Sequence, residues 1–357
     1  MIRIGILGAA RIAPRGIVTP ANDLLGVEVT AVASRELERA RNFAAQHSIP
    51  LALGSYAELI ARDDIDLVVI ATPNDTHHPL ARDALRAGRH VVVDKPFTVR
   101  VADARELVAL ARERGRLLSV FHNRRYDGDF LTLRKLLAEG ALGRVVDVES
   151  RHDRWRPEVR QRWRESAGPG AGLWFDLGPH LVDQALQLFG PPRAIALERA
   201  LVRDGALADD WFQATLRYDR LHVHLRASML AAASAPRFTL HGTRGSFVKE
   251  GLDAQEDALK AGVRPTWPAQ AGWGVDPGRA AIVTRTDDGR AVETPVMLER
   301  GAHQGYFAAV AAAVRGAAPN PVPPEQALAV MELIELGIES ARQGRELEWR
   351  IEGAPAR

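Results

Sequence analysis

The chain has 357 residues, of which 46% are hydrophobic and 26% are charged, and it contains no cysteine. This length exceeds one typical domain and predicts two, while the lack of cysteine excludes disulfides, thiolate nucleophiles, cysteine-ligated zinc and iron–sulfur clusters. The 47 basic and 45 acidic residues leave a formal net charge of only +2, which gives no indication of a nucleic-acid partner.

Apolar runs alternate with helical patterns over the first 122 residues. The runs lie at 2–7, 27–33, 67–71, 90–93 and 117–121. Helical spacing occupies 35–47, 75–87 and 102–114. Several runs are apolar on both faces, as parallel strands covered by helices require. The first run shows no secretory leader and no stretch is long enough to span a membrane, so we expect a cytoplasmic protein with no membrane partner.

After about residue 123, apolar and polar side chains alternate with a period of two residues in several segments. Strand candidates lie at 212–218, 221–227, 237–241, 246–249 and 280–286. Helical patterns lie at 129–139, at about 178–189 and between Pro323 and Gly344. Pro179 is expected in the first turn of its helix, where proline is tolerated. The whole pattern predicts an α/β protein: an N-terminal Rossmann doubly wound parallel sheet (1–122), then a C-terminal α+β domain with a large, mostly antiparallel open sheet (123–350).

The turn after the first strand stands where a dinucleotide-binding loop would lie. It contains Gly8, Ala10, Arg11 and Ile12 in a G-x-A-x-x-A sequence that departs from G-x-G-x-x-G. The second glycine of that pattern lets the backbone approach a pyrophosphate, so Ala10 weakens the match. These residues alone are compatible with a dinucleotide site or with an ordinary α/β turn.

The second strand ends at Ser34-Arg35, the position that distinguishes the two nicotinamide dinucleotides. NAD(H) sites carry an acidic residue there for the ribose 2′-hydroxyl, whereas NADP(H) sites supply arginine to the 2′-phosphate. A hydroxyl and a guanidinium without a carboxylate favour NADP(H) over NAD(H). The alternative is that Arg35 is an ordinary solvated residue in the first turn of a helix.

Two other segments combine acidic and basic side chains at the ends of predicted elements. Asp94-Lys95-Pro96 directly follows a buried strand, and Asp176 lies four residues before His180, on the same helix face. A carboxylate beside an imidazole can orient its tautomer and favour its protonated form, which suits acid–base work on a hydroxyl. The alternative for Asp176 and His180 is a surface ion pair.

Three motifs, in this order, resemble the Gfo/Idh/MocA oxidoreductases, and the resemblance covers essentially the whole chain. The E-K-P signature of that family stands here as Asp94-Lys95-Pro96, its T-P-N…H turn as Thr72-Pro73-Asn74 to His77, and its D-x-x-x-H as Asp176 to His180. Residues 91–99, 119–133, 174–190 and 241–253 are similar to the NADP-dependent scyllo-inositol dehydrogenase subgroup. The first sixty residues are more similar to other branches of the family.

The resemblance implies roles for individual residues. His180 would be the base that removes a hydroxyl proton, with Asp176 beside the reacting centre and Lys95 as a charge-stabilising donor or proton relay. The Lys95-Pro96 bond is commonly cis in this family. The full set of predicted cofactor-binding residues is Gly8, Ala10, Arg11, Ile12, Ser34, Arg35, Thr72, Pro73, Asn74, His77, Asp94, Lys95 and Asn123.

Asn74, His77 and Asn123 are assigned from the resemblance. Asn74 and His77 are assigned to the ribose region of the cofactor, although His77 can instead cap the helix that follows. Asn123 is expected near the nicotinamide, where its amide can contact cofactor or substrate.

A run rich in Arg and Trp extends over residues 151–164. Trp faces pack on the C–H side of a sugar ring while guanidinium groups bind its hydroxyls. With the residues that the resemblance implies, the predicted substrate-binding residues are Lys95, Asn123, Arg154, Trp155, Asp176 and His180. The alternatives are arginines that bond backbone carbonyls or a partner subunit, and a single-stranded nucleic-acid groove, which the near-neutral charge disfavours.

No metal is expected, because His222 and His224 lack a third ligand.

These features predict an NAD(P)-dependent dehydrogenase that acts on CH–OH donors and transfers a hydride between NADP(H) and a secondary hydroxyl of a cyclitol or sugar. One alternative is an NAD-dependent glycoside hydrolase on the same fold. Another is a non-catalytic NADP-sensing regulator, which the presence of all three catalytic residues disfavours. The expected partner is a small polyol or sugar. The resemblance also suggests a homodimer or homotetramer joined through the open sheet, whose apolar alternation would need a cover.

Overall fold

Two β-sheets organise the chain, which a computed structural model describes over residues 1–9 and 26–350. The chain divides into two units. The first comprises residues 1–127, 254–275 and 301–331, and the second comprises 128–253, 276–300 and the residues from 332 onward. The domain limits 1–122 and 123–350 stay a prediction.

The first sheet has six strands, all parallel to their neighbours. They are β1 (Ile2–Leu7), β2 (Val27–Ala33), β3 (Leu51–Leu53), β4 (Leu67–Ile70), β5 (His90–Val93) and β6 (Leu118–Val120). Their order across the sheet is β3-β2-β1-β4-β5-β6. This is the strand order of the Rossmann fold, so the predicted doubly wound parallel sheet is confirmed.

Four helices connect these strands within the described residues. They are α1 (Leu37–His47), α2 (Tyr56–Ile60), α3 (His77–Arg86) and α4 (Val101–Arg114). Gly88 and Gly115 follow α3 and α4 with φ of 77° and 59°, a backbone conformation that glycine adopts readily at helix ends. The sequence pattern did not predict β3 or α2, because elements of three and five residues are too short to show a period.

The second sheet has nine strands. They are β7 (Val145–Arg151), β8 (Ala194–Ala200), β9 (Trp211–Arg217), β10 (His222–Ser228), β11 (Phe238–Gly242), β12 (Ser246–Lys249), β13 (Ala280–Arg285), β14 (Ala291–Pro295) and β15 (Leu347–Glu348). Their order is β14-β13-β12-β11-β7-β10-β9-β8-β15, and β7 with β10 is the parallel pair among antiparallel ones. The large, mostly antiparallel sheet is therefore confirmed, as is the hairpin of β9 and β10.

Five helices lie in the rest of the chain. They are α5 (Gly128–Ala138), α6 (Leu173–Phe189), α7 (Gln255–Lys260), α8 (Gly305–Val314) and α9 (Pro324–Gln343). Helix α6 packs on β9 and β10, where the indole of Trp174 meets the ring of Phe212 edge-on with centroids 4.9 Å apart. No helix in the described part of the chain is long and apolar enough to cross a bilayer.

Strands β9 and β10 alternate between apolar and polar side chains. The apolar set, which includes Phe212 and Leu216, is fully buried, whereas the other face of the strands carries partly exposed polar residues such as Thr215 and His224. On β9 and β10 this second face is thus mainly polar. The homodimer or homotetramer stays a prediction.

Helix α6 begins earlier than the sequence pattern predicts. It starts at Leu173, so Pro179 is its seventh residue and lies inside the helix. The prediction that Pro179 occupies a first turn is wrong. Proline removes only one backbone donor from the ladder, and the helix continues for ten residues beyond it.

Candidate active site

The carboxyl edge of the first sheet brings together the turns that follow its strands. The strand order reverses at β1 and β4, the place where open α/β sheets bind ligands. Gly8 follows β1 with φ of 103°, and a Cβ at this position would collide with the carbonyl oxygen of Ala71 after β4. Only glycine fits here. The predicted cofactor residues Ala10, Arg11 and Ile12 lie outside the described residues.

Ser34 and Arg35 follow β2 as expected. The Ser34 hydroxyl is buried and accepts a hydrogen bond from the Glu36 N–H at 3.4 Å. Arg35 is exposed and lines an open groove with Tyr56 and Asp83, and within residues 1–9 and 26–350 its guanidinium has no ion-pair partner. An exposed guanidinium at this position is able to bind a phosphate group.

The turn after β4 is held by its own hydrogen bonds. The Thr76 hydroxyl lies 2.6 Å from the Thr72 hydroxyl and 2.6 Å from the Pro73 carbonyl oxygen. Asn74 is buried in this turn, and His77, at the start of α3, is fully buried. The four predicted residues of the T-P-N…H motif are thus neighbours at the carboxyl edge of the sheet.

The turn after β5 carries the predicted catalytic lysine. The Asp94 N–H donates to the Ile70 carbonyl at 2.9 Å, and an Asp94 carboxylate oxygen accepts from the Lys95 N–H at 2.9 Å. The Lys95–Pro96 peptide bond is cis, as expected. The Lys95 side chain is half-buried. Asp94 therefore fixes the backbone from which the amine of Lys95 extends.

Asn123 begins a short 3₁₀ turn, Asn123–Tyr126, that comes soon after β6. Its side chain is partly exposed, whereas the next two residues are buried. Arg124 pairs with Asp127 at 3.1 Å, and Arg125 donates to the Gln326 amide oxygen at 2.8 Å. The two arginines thus hold the fold of the first unit.

In the second unit, Asp176 lies in the first turn of α6 and His180 one turn later. The Asp176 carboxylate lies between two guanidinium groups: Nη1 of Arg154 at 3.8 Å and Nε of Arg164 at 3.5 Å. The Arg164 guanidinium also stacks on Trp163, 4.6 Å from the ring centroid. Two cations therefore flank one carboxylate on the helix that carries the predicted base.

The remainder of the Arg/Trp-rich run is organised by Glu165. Its carboxylate accepts from the Arg160 backbone N–H at 2.9 Å, from Arg162 Nε at 2.5 Å and from Arg203 Nη2 at 3.1 Å. Trp155 is 57% exposed. The arginines of the run thus have two roles. Arg154 and Arg164 contact Asp176, whereas Arg160 and Arg162 stabilise the loop.

Asp209 supports the same helix, and sequence reasoning missed it. Its carboxylate accepts from the Trp174 N–H at 2.7 Å and its carbonyl from the Leu173 N–H at 2.6 Å, so it caps the N-terminus of α6. A Cβ on Gly172 would collide with this carboxylate. Burial raises the pKa of Asp209, against the opposing effects of the Trp174 N–H and Arg199. The glycines before α6 were a signal for its true start, but no local pattern pointed to a cap 36 residues later.

Family models match both parts of the chain. The oxidoreductase-family model for an NAD-binding Rossmann fold matches residues 2–122, and the model for the C-terminal alpha/beta domain matches residues 134–349. The chain belongs to the Gfo/Idh/MocA oxidoreductase family. It is therefore an oxidoreductase with an NAD(P)-binding Rossmann domain, in keeping with a dehydrogenase that acts on CH–OH groups.

Individual members of the Gfo/Idh/MocA family are similar over most of their length. The uncharacterized oxidoreductase YdgJ of Escherichia coli K12 is 55% identical over 78% of this chain and 80% of its own. The scyllo-inositol 2-dehydrogenase (NADP(+)) IolW of Bacillus subtilis is 37% identical over 79% and 78%. A solved structure of the YPO2259 protein from Yersinia pestis has a TM-score of 0.92 and 46% identity, covering 99% of this chain and 98% of that one.

Proposed function

We propose that this protein is an NADP(H)-dependent dehydrogenase that oxidises a secondary hydroxyl of a cyclitol or closed-ring sugar, or reduces the corresponding ketone. The observation that carries the cofactor preference is the exposed Arg35 beside Ser34 at the end of β2, where no carboxylate stands. The substrate class is supported by IolW and by the 1,5-anhydro-D-fructose reductase of Ensifer adhaerens, which is 30% identical over 72% of this chain and 78% of its own.

The reaction requires a hydride acceptor, a proton acceptor and stabilisation of charge on one oxygen. A bound nicotinamide coenzyme would supply the hydride acceptor, and the turns after β1, β2, β4 and β5 would hold it. His180 accepts the hydroxyl proton as the C–H bond breaks and the C=O bond forms. The ammonium group of Lys95 stabilises the negative charge that develops on that oxygen. Asp176, whose carboxylate pairs with Arg154 and Arg164, would accept hydrogen bonds from substrate hydroxyls.

The remaining predicted residues are proposed to hold the cofactor and the ring. Gly8, Ser34 and Arg35 would bind the adenosine and phosphate part, and the turns that carry Thr72, Pro73, Asn74 and Asp94 would bind the ribose and nicotinamide part. Asn123 and Trp155 stay proposed contacts to the nicotinamide end and to the substrate.

The test is reduction of NADP⁺, followed by its absorbance change, with scyllo-inositol, myo-inositol and a panel of aldoses. We expect turnover with at least one of them, and a kcat/KM for NADP⁺ at least about 10-fold above that for NAD⁺.

Lys95→Met and His180→Ala should each lower kcat by about 100-fold or more, because acid–base groups contribute factors of this size. Lys135→Met, which replaces an exposed lysine paired with Glu299, should leave kcat unchanged.

Two outcomes would contradict the proposal. One is NADPH binding without turnover of any polyol or sugar in the panel. The other is release of the aglycone from a glycoside with no net change in NADP(H), which would indicate the hydrolase chemistry instead.

A further inference from the structure

His77 connects two turns of the candidate site through both nitrogens of its ring. The side chain is fully buried at the start of α3. Its Nδ1 lies 2.8 Å from the carbonyl oxygen of Pro96, and its Nε2 lies 3.0 Å from the carbonyl oxygen of Thr72. Thr72 belongs to the turn after β4 and Pro96 to the turn after β5. One imidazole therefore spans the two turns.

Both partners of the ring are hydrogen-bond acceptors. A carbonyl oxygen cannot donate, so each ring nitrogen pairs with its partner only when it carries a hydrogen. Both ring nitrogens lie within hydrogen-bond distance of these carbonyl oxygens, so one rigid planar group contacts both turns; a neutral imidazole donates through one nitrogen and an imidazolium through both. A side-chain amide of similar size offers a single nitrogen and can donate toward only one of the two turns.

The carbonyl that Nδ1 binds belongs to the residue directly after Lys95. The Lys95 N–H is already bonded to the Asp94 carboxylate, and the Thr98 hydroxyl donates to the Arg100 carbonyl at 2.8 Å. The bond from His77 thus completes the fixation of the segment from which the Lys95 amine extends. We propose that His77 is a positioning residue that clamps the Lys95 turn against the Thr72 turn. This inference rests on the proposed function of Lys95.

The two bonds of the ring can be removed one at a time. The amide nitrogen of Asn occupies nearly the place of the histidine Nδ1, and that of Gln nearly the place of Nε2. His77→Asn therefore keeps the bond to Pro96 and loses the one to Thr72, whereas His77→Gln keeps the bond to Thr72 and loses the one to Pro96.

The two variants should show opposite kinetic effects. His77→Gln frees the Lys95 turn, so kcat should fall about 10- to 100-fold while KM for NADP⁺ stays within about 3-fold, because small displacements of a catalytic group are costly. His77→Asn frees the turn that carries Thr72, so KM for NADP⁺ should rise while kcat stays within about 3-fold. A merely structural role would lower the melting temperature in both variants without separating kcat from KM.

Two controls complete the kinetic test: a variant of the neighbouring histidine and a background that lacks Lys95. His78→Gln makes the same change at the next residue, whose ring pairs with Glu106 at 2.8 Å, and it should leave kcat and KM unchanged. In a Lys95→Met background, His77→Gln should lower the residual kcat by no more than about 2-fold, because its effect passes through the missing lysine. Equal losses in the Asn and Gln variants, or a full loss in the Lys95→Met background, would overturn the proposal.

A second readout does not depend on turnover. The chain has only four lysines, Lys95, Lys135, Lys249 and Lys260, so reductive methylation with ¹³C-formaldehyde yields few NMR signals. The signal that disappears in Lys95→Met identifies Lys95. That signal should shift in His77→Gln and stay in place in His78→Gln. An unshifted Lys95 signal would overturn the clamp even if no substrate in the panel is turned over, whereas a shifted signal without turnover would support the clamp and contradict only the proposed function.

Discussion

Lysine is scarce in this chain, and its four positions serve different purposes. Lys135 and Lys260 form exposed ion pairs with glutamates or aspartates. Lys249 is fully buried at the end of β12, where its ammonium group lies 2.6 Å from the Asp276 carboxylate and donates to the Gly251 carbonyl at 2.8 Å. The contacts of Lys249 are those of a structural ion pair.

Replacing Lys249 should destabilise the protein strongly. Lys249→Met leaves the buried Asp276 carboxylate without its counter-charge, and we expect the free energy of unfolding to fall by about 3–5 kcal/mol. Urea denaturation followed by circular dichroism measures this change. Lys135→Met is the control and should leave the unfolding midpoint unchanged. A Lys249→Met midpoint equal to that of the control would show that the pair contributes nothing to stability.

Arg35 should determine the choice between the two dinucleotides. Arg35→Ala removes the proposed partner of the 2′-phosphate, so KM for NADP⁺ should rise about 10- to 100-fold while KM for NAD⁺ changes less than about 3-fold. Initial-rate kinetics with both cofactors measure this difference. Arg41→Ala in the following helix α1, where the arginine pairs with Glu38, should change neither KM. Parallel changes with NADP⁺ and NAD⁺ would argue against a phosphate contact.

At the scale of the elements, the start of α6 determines where Asp176 and His180 stand. The helix begins at Leu173 because Gly172, with φ of 95°, leaves room for Asp209, whose carboxylate accepts from the Trp174 N–H and whose carbonyl accepts from the Leu173 N–H. A helix that began near Pro179, as the sequence pattern predicts, would leave Asp176 in a loop. The cap therefore places the predicted acid–base pair on one helix face.

The cap can be tested with two variants of Asp209. Asp209→Ala removes the acceptor for the Trp174 N–H, so the free energy of unfolding should fall by about 1–2 kcal/mol. Asp209→Asn keeps an acceptor oxygen and should remain folded with a smaller loss. Denaturant unfolding at several pH values measures both changes.

The pH dependence of these variants has a definite sign. Burial raises the pKa of Asp209, so the native state holds its proton more tightly than the unfolded state does. The stability that this proton contributes is present in acid and is lost as the pH rises through the raised pKa. Asp209→Asn has no such group, so its stability relative to the wild type should improve from acid to neutral pH. A constant difference across that range would contradict the assignment.

At the scale of the whole molecule, the sequence predicts the two sheets because each has a clear period. Doubly apolar runs indicate the parallel strands β1, β2, β4, β5 and β6, and alternation indicates the hairpin of β9 and β10. The sequence pattern does not indicate the short elements β3 and α2, because three to five residues are too few to show a period. The helix start predicted near Pro179 is wrong because a proline in the sequence does not by itself show whether it lies in a first turn or in a helix interior.

The candidate site is predictable where motifs are local and unpredictable where contacts are distant in sequence. Lys95, Asp176 and His180 stand in short motifs, and the cis bond before Pro96 was expected from the family resemblance. The Asp209 cap and the Arg164–Asp176 pair depend on loops whose course only the fold decides.

The strand order separates the residues proposed to select the coenzyme from the lysine proposed to act in catalysis. Ser34 and Arg35 follow β2, whereas Lys95 follows β5, three strands away in the order β2-β1-β4-β5, or about 14 Å at the usual strand spacing. We therefore expect that substitutions at Ser34 and Arg35 leave the backbone around Lys95 undisturbed. The proposed coenzyme preference and the chemistry proposed for Lys95 can therefore be altered by separate mutations.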